Sequence, residues 1–358
     1  MRHFCTYFDS NYLPRGLALY HSLKRWHETP FTLWVLCFDP LTCEILSKMQ
    51  LSNVRLMRHT DFEKDDPEIL QAKRNRSAVE YYWTCTPSLP LYLLKQHPEI
   101  DMITYLDADL LFFSSPQPIY EEFSNHSIML IEHRYSPAHE NLKPVVGIYN
   151  VQMMVFRRDA NGLEALFWWW KQCIDWCYRK SENGKFGDQL YLNDWPKRFS
   201  HTHILQNIGA GVAPWNAARY RLRKVNENLY VEDSPLIFYH YHAFGFLNDW
   251  MGVADKWCYQ IPKNYFSLLY HPYLSALQES ISQIRKIQPD FSRGYESTSL
   301  RLLLRWMEQG RLIISIRPET AGRVLRQLSK IQLPRLSGDL KETSGVIKRF
   351  FSRRFQKV

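Results

Sequence analysis

Along the first third of the chain, short apolar runs alternate with segments in which apolar residues return every three or four positions. The runs predict strands that are buried on both faces, and the segments predict amphipathic helices. The predicted strands are His3–Phe8, Phe31–Phe38, Val54–Met57 and Met102–Leu106. The predicted helices are one with Pro14 in its first turn that Ser10 or Asn11 caps, then Leu41–Met49 and Ser88–Lys95. This order predicts an α/β fold with a mixed, mostly parallel sheet flanked by helices.

Further along the chain, the pattern predicts two more sheet strands, a long helix and a late strand. The strands are Ile128–Ile131 and Val151–Phe156, and the helix is Gly162–Arg179. The late strand is Leu236–Tyr239, and His240 follows it directly.

Acidic residues follow three of the predicted strands. Asp9 follows the first strand, Asp39 the second, and Asp107 and Asp109 follow Met102–Leu106. In a doubly wound sheet the carboxyl ends of parallel strands meet at one edge, where ligands bind. We therefore expect these carboxylates at a shared ligand-binding edge.

Asp107 and Asp109 are enclosed by apolar segments on both sides. Because desolvation of a carboxylate is costly, two of them in such a frame indicate a positive partner. Residues i and i+2 at a strand end leave the same face, so both carboxylates are available to one hard cation such as Mg²⁺ or Mn²⁺. The alternative is a pair of ordinary turn or helix-capping carboxylates.

The composition is that of a well-packed globular protein, with 45% hydrophobic and 15% aromatic residues among 358. Seven cysteines without a C-x-x-C pair predict reduced thiols in a cytoplasmic protein. The sequence shows no signal-peptide pattern and no charge-free apolar stretch of membrane-spanning length. We therefore expect a cytoplasmic protein, with peripheral contact to the membrane as the alternative.

The positive charge is concentrated near the C-terminus. Residues 280–358 contain 17 Lys and Arg against 6 Asp and Glu, so the net charge of +9 leaves residues 1–279 slightly acidic. This asymmetry predicts a catalytic domain over 1–279 and a basic helical region over 280–358. It disfavours nucleic acid as a partner, because a nucleic-acid enzyme needs a basic face around its active site. Phe side chains interleaved with Lys and Arg near the end predict contact with an anionic membrane surface, with a solvated helical tail as the alternative.

Two common nucleotide-binding motifs are absent. The first predicted strand is not followed by G-x-G-x-x-G, and the sequence contains no G-x-x-x-x-G-K-[ST]. A dinucleotide-dependent oxidoreductase and a P-loop NTPase are therefore disfavoured.

Four segments, in order, resemble motifs of the GT-A-fold glycosyltransferases, and in particular of the family 8-type retaining enzymes and their bacterial relatives. They are Phe4–Tyr12, Tyr105–Asp109, Gly147–Phe156, and Gly187–Gln189 followed by Phe238–Tyr241. The resemblance covers roughly residues 1–250 and implies a GT-A-like catalytic domain. The chain departs from the family pattern after the late histidine, because the stretch His242–Trp250 lacks the expected Lys-Pro-Trp and Lys256 is a weak substitute for the phosphate contact of that lysine.

The resemblance also implies roles for single residues. The implied metal ligands are Asp107, Asp109 and His240, with His242 as the alternative histidine. The implied catalytic residues are Asp188, which would accept hydrogen bonds from sugar hydroxyls, and Gln189, which would face the anomeric carbon. The implied donor contacts come from Thr6, Tyr7, Asp9, Tyr12, Asp107, Ala108 and Asn150. Without the resemblance, Asp188 is interpreted as a helix cap and Asn150 as a turn residue at the entry to a strand.

The implied activity is the transfer of a sugar from a nucleoside-diphosphate donor, with UDP as the expected nucleotide, to a saccharide or lipid-linked glycan acceptor. Such a reaction serves polysaccharide biosynthesis, would depend on Mn²⁺ or Mg²⁺, and would retain the anomeric configuration. A divalent ion stabilises the charge that develops on the diphosphate leaving group. The alternatives are a sugar-phosphate nucleotidyltransferase, which shares the sheet and the metal carboxylates, and a catalytically silent carbohydrate-binding protein of the same fold.

Overall fold

A computed structural model of the chain describes residues 1–257 and 259–315, apart from the side chain of Leu300. Met1–Ser315 forms one compact unit. The predicted domain boundary after residue 279 remains a prediction, and in the structure this position lies within the helix His271–Ile287. The predicted basic segment beyond Ser315 lies outside the described residues.

The strands and helices of the described residues have the following bounds. The strands are β1 Arg2–Phe8, β2 Phe31–Cys37, β3 Val54–Arg58, β4 Met102–Leu106, β5 Leu110–Phe112, β6 Ile128–Glu132, β7 Tyr149–Arg157, β8 Thr202–Ile204, β9 Leu222–Val225, β10 Asn228–Val231, β11 Ser234–Pro235, β12 Phe238–His240, β13 Gly245–Asn248, β14 Met251–Val253 and β15 Leu312–Ile314. The α-helices are α1 Leu13–Trp26, α2 Pro40–Met49, α3 His59–Lys64, α4 Pro67–Lys73, α5 Ala78–Gln96, α6 Gln117–Phe123, α7 Lys143–Val146, α8 Ala160–Asp175, α9 Trp195–Arg198, α10 Lys263–Tyr265, α11 His271–Ile287 and α12 Leu300–Glu308.

The central sheet has seven strands in the order β3-β2-β1-β4-β7-β6-β8. The pairs β1–β2, β2–β3, β1–β4 and β6–β8 are parallel, whereas β7 runs antiparallel to both β4 and β6. Helices α1 and α11 contribute to the apolar core on one face of the sheet, and α5 and α8 contribute to the core on the other. The predicted fold, a mostly parallel mixed sheet flanked by helices, is therefore confirmed. Among the described residues, no helix has both the length and the apolar character needed to cross a bilayer.

Three local predictions about helices are wrong. Neither Ser10 nor Asn11 caps α1. Instead, the Asp9 carboxylate accepts hydrogen bonds from the N–H groups of Asn11 and Tyr12, at 3.0 and 3.1 Å. Helix α5 begins at Ala78, ten residues before the predicted start, where Ser77 and Glu80 form a capping box. The internal prolines Pro87 and Pro90 explain the error, because proline usually breaks a helix and so disfavours the prediction of one long helix here. Helix α8 ends at Asp175, four residues early, because Trp176 is extended.

The shared edge predicted from the acidic residues is present. Strands β1, β2 and β4 are parallel, so their carboxyl ends, followed by Asp9, Asp39 and Asp107, lie at the same edge of the sheet. The antiparallel strand β7 begins at this edge, and the Asp107 N–H donates to the Gln152 carbonyl oxygen at 2.9 Å. The start of β7 therefore meets the end of β4 next to the acidic pair.

Candidate active site

Two carboxylates and one imidazole meet at the end of β4. The ligand atoms offered by Asp107, Asp109 and His240 all lie within 4.8 Å of one another. The His240 Nε2 atom is 3.1 Å from Asp109 Oδ1 and 3.7 Å from Asp107 Oδ2. The three residues predicted as metal ligands are thus brought together across more than 130 positions of sequence.

A short ladder places His240 in this cluster. Strand β12 pairs antiparallel with β5, so that His240 lies opposite Leu110, the residue after Asp109. The His240 N–H donates to the Val212 carbonyl at 2.9 Å, and the Tyr241 N–H donates to the Asp109 carbonyl at 3.0 Å. The backbone on both sides of the imidazole is therefore fixed.

The side chain of Gln152 orients the imidazole. The Gln152 Oε1 atom lies 3.1 Å from His240 Nδ1. Because an amide oxygen only accepts hydrogen bonds, this assignment makes Nδ1 the protonated nitrogen and leaves Nε2 facing the carboxylates. Metal-binding histidines commonly have such a partner on their other nitrogen. Sequence reasoning missed Gln152, although it lies within the Gly147–Phe156 motif.

Tyr105 contacts the acidic pair and holds the Asp107 side chain in place. Its hydroxyl donates a 2.8 Å hydrogen bond to Asp107 Oδ1. Tyr105 was also missed, although it precedes Asp107 by two positions, a spacing at which side chains of a strand share a face. Both Asp107 and Asp109 therefore have defined partners before any cation binds.

The pKa values of the two carboxyls are shifted in opposite directions. Burial raises the pKa of Asp107 to about 6, an effect that the charge of His240 opposes and the charge of Asp109 reinforces. Burial also acts to raise the pKa of Asp109, but the charge and hydrogen bond of His240, helped by His242 and Arg15, lower it to about 2. The neighbouring carboxylates in turn raise the pKa of His240 against the effect of burial. The raised pKa of His240 shows that the two carboxylates favour positive charge beside them, and the lowered pKa of Asp109 shows that His240 supplies part of that charge.

The donor set fits a divalent cation. Carboxylate oxygens are the ligands that Mg²⁺ and Mn²⁺ prefer, and an imidazole nitrogen is accepted more readily by Mn²⁺ than by Mg²⁺ or Ca²⁺. The orienting contact from Gln152 is a further feature of built metal sites. The alternative ligand His242 does not belong to the group of converging ligand atoms; its ring packs on Trp257, Trp215 and His240 at centroid distances of 4.6, 5.3 and 5.6 Å.

Asp188 is a buried carboxyl with an unused oxygen. The residue is 3% exposed, and its Oδ2 atom has no hydrogen-bond partner among the described residues. Burial raises its pKa to about 7, the nearby charge of Asp107 adds to this effect, and a hydrogen bond with Thr86 opposes it. The backbone reaches this position through Gly187, whose φ of +50° favours glycine. The ordinary interpretation as a helix cap is not supported, because the short 3₁₀ helix that follows has no side-chain cap.

Gln189 and Asn150 form one network. The Asn150 Nδ2 atom donates to Gln189 Oε1 at 3.3 Å and lies 3.1 Å from His133 Nε2, while Gln189 Nε2 donates to the Val146 carbonyl at 2.9 Å. Asn150 Oδ1 accepts from the Gln152 N–H at 2.9 Å. Asn150 thus connects the predicted catalytic amide with the strand segment that holds His240.

The remaining residues predicted to contact a donor differ in accessibility. Tyr12 is 43% exposed, whereas Thr6 is fully buried and its Oγ1 atom has no partner within the described part of the chain; Ala108 is also buried. The Tyr7 hydroxyl is 2.9 Å from Thr86 Oγ1. Asp9 holds the loop before α1, as described above. Of these, Tyr12 presents the largest accessible surface, and their donor contacts remain predictions.

The fold and this site define an α/β protein with a carboxylate–imidazole cluster, suited to a divalent cation, at the carboxyl edge of its sheet. No family model matches the chain. It is 31% identical over 301 residues to the uncharacterized protein YfnD of Bacillus subtilis (strain 168), a match that covers 82% of this chain and 94% of YfnD. It is also 27% identical over 302 residues to YfnF of the same organism, covering 82% of this chain and 97% of YfnF. The chain therefore belongs to the family of YfnD.

Several solved structures show some similarity. The galactosyltransferase LgtC shares 15% identity at a TM-score of 0.46, covering 75% of this chain and 100% of LgtC. The glycosyltransferase GlyE of Streptococcus pneumoniae TIGR4 shares 16% identity at 0.44, covering 83% and 66%. Mouse xyloside xylosyltransferase 1 shares 16% identity at 0.38, covering 57% and 84%.

Proposed function

We propose that this protein is a GT-A-type glycosyltransferase that moves a sugar from a nucleoside diphosphate, with UDP as the nucleotide, to a saccharide or lipid-linked glycan. The observation that carries the proposal is the convergence of Asp107, Asp109 and His240 beside the buried Asp188. A diphosphate leaving group develops negative charge as the glycosidic bond breaks, and a divalent cation held by these three ligands would stabilise that charge.

The protein's own residues prepare the cation site. Tyr105 and Gln152 fix the side chains of Asp107 and His240, so little reorganisation accompanies cation binding. Mn²⁺ suits this mixed oxygen and nitrogen set better than Mg²⁺ does. We therefore assign Mn²⁺ as the preferred ion.

Asp188 and Gln189 would act on the sugar. The Oδ2 atom of Asp188, which has no partner among residues 1–257 and 259–315, would accept a hydrogen bond from a sugar hydroxyl. The hydrogen bonds from Asn150 and to Val146 hold the Gln189 amide, and its Oε1 keeps one lone pair for a positively charged anomeric centre. A neutral amide is a poor nucleophile, so this arrangement supports front-face retention without a covalent intermediate.

The donor nucleotide is assigned to the loop after β1. Tyr12 offers an exposed aromatic face there, and Asp9 fixes the backbone of the loop. Thr6, Tyr7, Ala108 and Asn150 line the path from this loop to the cation cluster in the proposed arrangement. The basic C-terminal tail is assigned to an anionic membrane surface on the cytoplasmic side, where lipid-linked acceptors are found.

The direct test is product analysis with a panel of UDP-sugars and Mn²⁺. The proposal predicts slow release of UDP and free sugar without an acceptor, and its loss when the metal is chelated. Sugar-phosphate formation that depends on added pyrophosphate would identify a nucleotidyltransferase instead. Binding of UDP-sugar without any turnover would indicate a silent carbohydrate-binding protein.

A further inference from the structure

A segment from the C-terminal part of the described fold lies over the loop after β1. Gly294 adopts φ of +86°, and a Cβ atom there would stand 2.5 Å from the Asn11 carbonyl oxygen. Two positions later, the Glu296 N–H donates to the Phe246 carbonyl at 2.8 Å. The chain around Gly294 and Glu296 is therefore fixed between the loop proposed to bind nucleotide and strand β13.

Glu296 holds a lysine and approaches an arginine at this place. Both of its carboxylate oxygens accept hydrogen bonds from Lys256 Nζ at 2.7 Å. Its Oε1 atom is 4.0 Å from Arg15 Nη2. The Lys256–Glu296 pair rests on Gly245, because a Cβ atom on that residue would lie 3.4 Å from Lys256 Cδ and 3.6 Å from Glu296 Oε2.

These cations lie next to the cation cluster. The Lys256 N–H donates to the Ala243 carbonyl at 3.1 Å, three positions after His240, and the ring of the adjacent Trp257 packs on His242 at a centroid distance of 4.6 Å. Arg15 is buried, stacks on the Tyr12 ring at 4.5 Å and donates to the Phe244 carbonyl at 3.2 Å, so it cannot move toward a ligand. Lys256 is about one-third exposed and has a flexible stem, so it can move.

We propose that Lys256 is a diphosphate-binding residue and that Glu296 is its resident counterion, which the diphosphate of the incoming nucleotide displaces. The inference rests on the proposed function. A partly exposed Lys–Glu pair is weak, whereas a diphosphate beside a divalent cation offers several charged oxygens to the same ammonium group. Glu296 therefore lowers the affinity for nucleotide and prevents an uncompensated Lys256 charge in the empty site.

Removal of the Glu296 charge should leave the segment in place. Its backbone hydrogen bond to Phe246 and the packing of Gly294 on Asn11 do not involve the carboxylate. The Tyr295 hydroxyl also donates to Asp249, which Arg285 binds at 2.6 Å. A folded Glu296→Gln variant is therefore expected.

The test is calorimetric titration of the full chain with UDP in the presence of Mn²⁺. Glu296→Gln should tighten UDP binding by about three- to ten-fold, because Lys256 is released. Lys256→Met should weaken UDP binding, and in that background Glu296→Gln should have no further effect. The control is Glu44→Gln, which removes the exposed Glu44–Lys48 pair (2.6 Å) on α2 and should leave UDP affinity unchanged.

The outcomes distinguish failure of the role of Lys256 and Glu296 from failure of the proposed function. If the wild type binds UDP with Mn²⁺ but Glu296→Gln binds it equally well or less tightly, the counterion role is wrong. If Lys256→Met binds UDP as the wild type does, Lys256 is not a diphosphate-binding residue, whatever the other variant shows. If the wild type shows no metal-dependent UDP binding, the proposed function is wrong, and so is this inference, which rests on it.

Discussion

The side-chain amide of Gln152 fixes the imidazole of His240, with 3.1 Å between Oε1 and Nδ1. Because Nδ1 is engaged, Nε2 is the nitrogen that faces Asp109 at 3.1 Å. A metal-binding role for His240 therefore depends on a residue 88 positions away, which acts through the imidazole.

This relationship predicts the effect of substitutions at Gln152. Gln152→Leu should weaken Mn²⁺ binding by about 10- to 100-fold, because the imidazole loses the partner that orients it. Gln152→Glu retains an acceptor for the Nδ1–H group and should keep most of the affinity. The measurement is Mn²⁺ titration followed by electron paramagnetic resonance. Equal affinity in Gln152→Leu and the wild type would show that His240 needs no such support.

Asp188 predicts a pH-dependent contribution to stability. Its folded-state pKa of about 7 is above its ordinary value of 3.8, so the folded chain binds this proton more tightly than the unfolded chain does. The fold therefore loses stability from this group as the pH rises between about 4 and 7. In Asp188→Asn this loss is absent, so the Tm advantage of the variant should grow by about 2 °C or more from pH 5 to pH 8.

The measurement is thermal unfolding of both proteins across that pH range, with UDP-sugar turnover measured in parallel. The variant should lose turnover, since an amide offers only one acceptor oxygen to sugar hydroxyls. A constant difference in Tm across the pH range would show that Asp188 titrates normally.

The placement of Gln189 predicts retention of configuration. NMR of the product formed from an α-linked donor should show an α-linkage. A β-linked product would assign the protein to inverting chemistry and would remove any role for Gln189 at the anomeric centre.

The basic C-terminal region predicts salt-sensitive binding to anionic vesicles. Each Lys or Arg close to an anionic surface contributes about 1 kcal/mol, and salt screens this attraction. Removal of residues 340–358 should abolish sedimentation with phosphatidylserine vesicles while turnover on a small soluble acceptor persists. If both proteins sediment equally, or neither does, the region has another role.

The sequence predicts those features that depend on local pattern. Strands β1, β2 and β4 and the edge shared by Asp9 and Asp107 follow from apolar runs and from the rule for parallel strands. Helix ends were harder, because α5 contains two prolines and α1 begins without a side-chain cap.

The contacts that complete the site come from distant segments. His240 reaches Asp109 only through the pairing of β12 with β5, and Gln152 reaches His240 only through the register of β7 against β4. Glu296 approaches the loop after β1 from a segment beyond α11. The pairing of strands that are distant in sequence cannot be predicted from periodicity or motif spacing. These contacts are therefore seen only in the three-dimensional structure.

The most direct test of the central claim compares Asp109→Asn with the wild type in Mn²⁺-dependent hydrolysis of a UDP-sugar. We expect a loss of turnover of about 100-fold or more, because the carboxylate closest to His240 would no longer bind the cation that stabilises the leaving group. The variant should remain folded, with an unchanged circular dichroism spectrum. Near-normal turnover by a folded Asp109→Asn protein would contradict the metal-dependent glycosyltransferase mechanism.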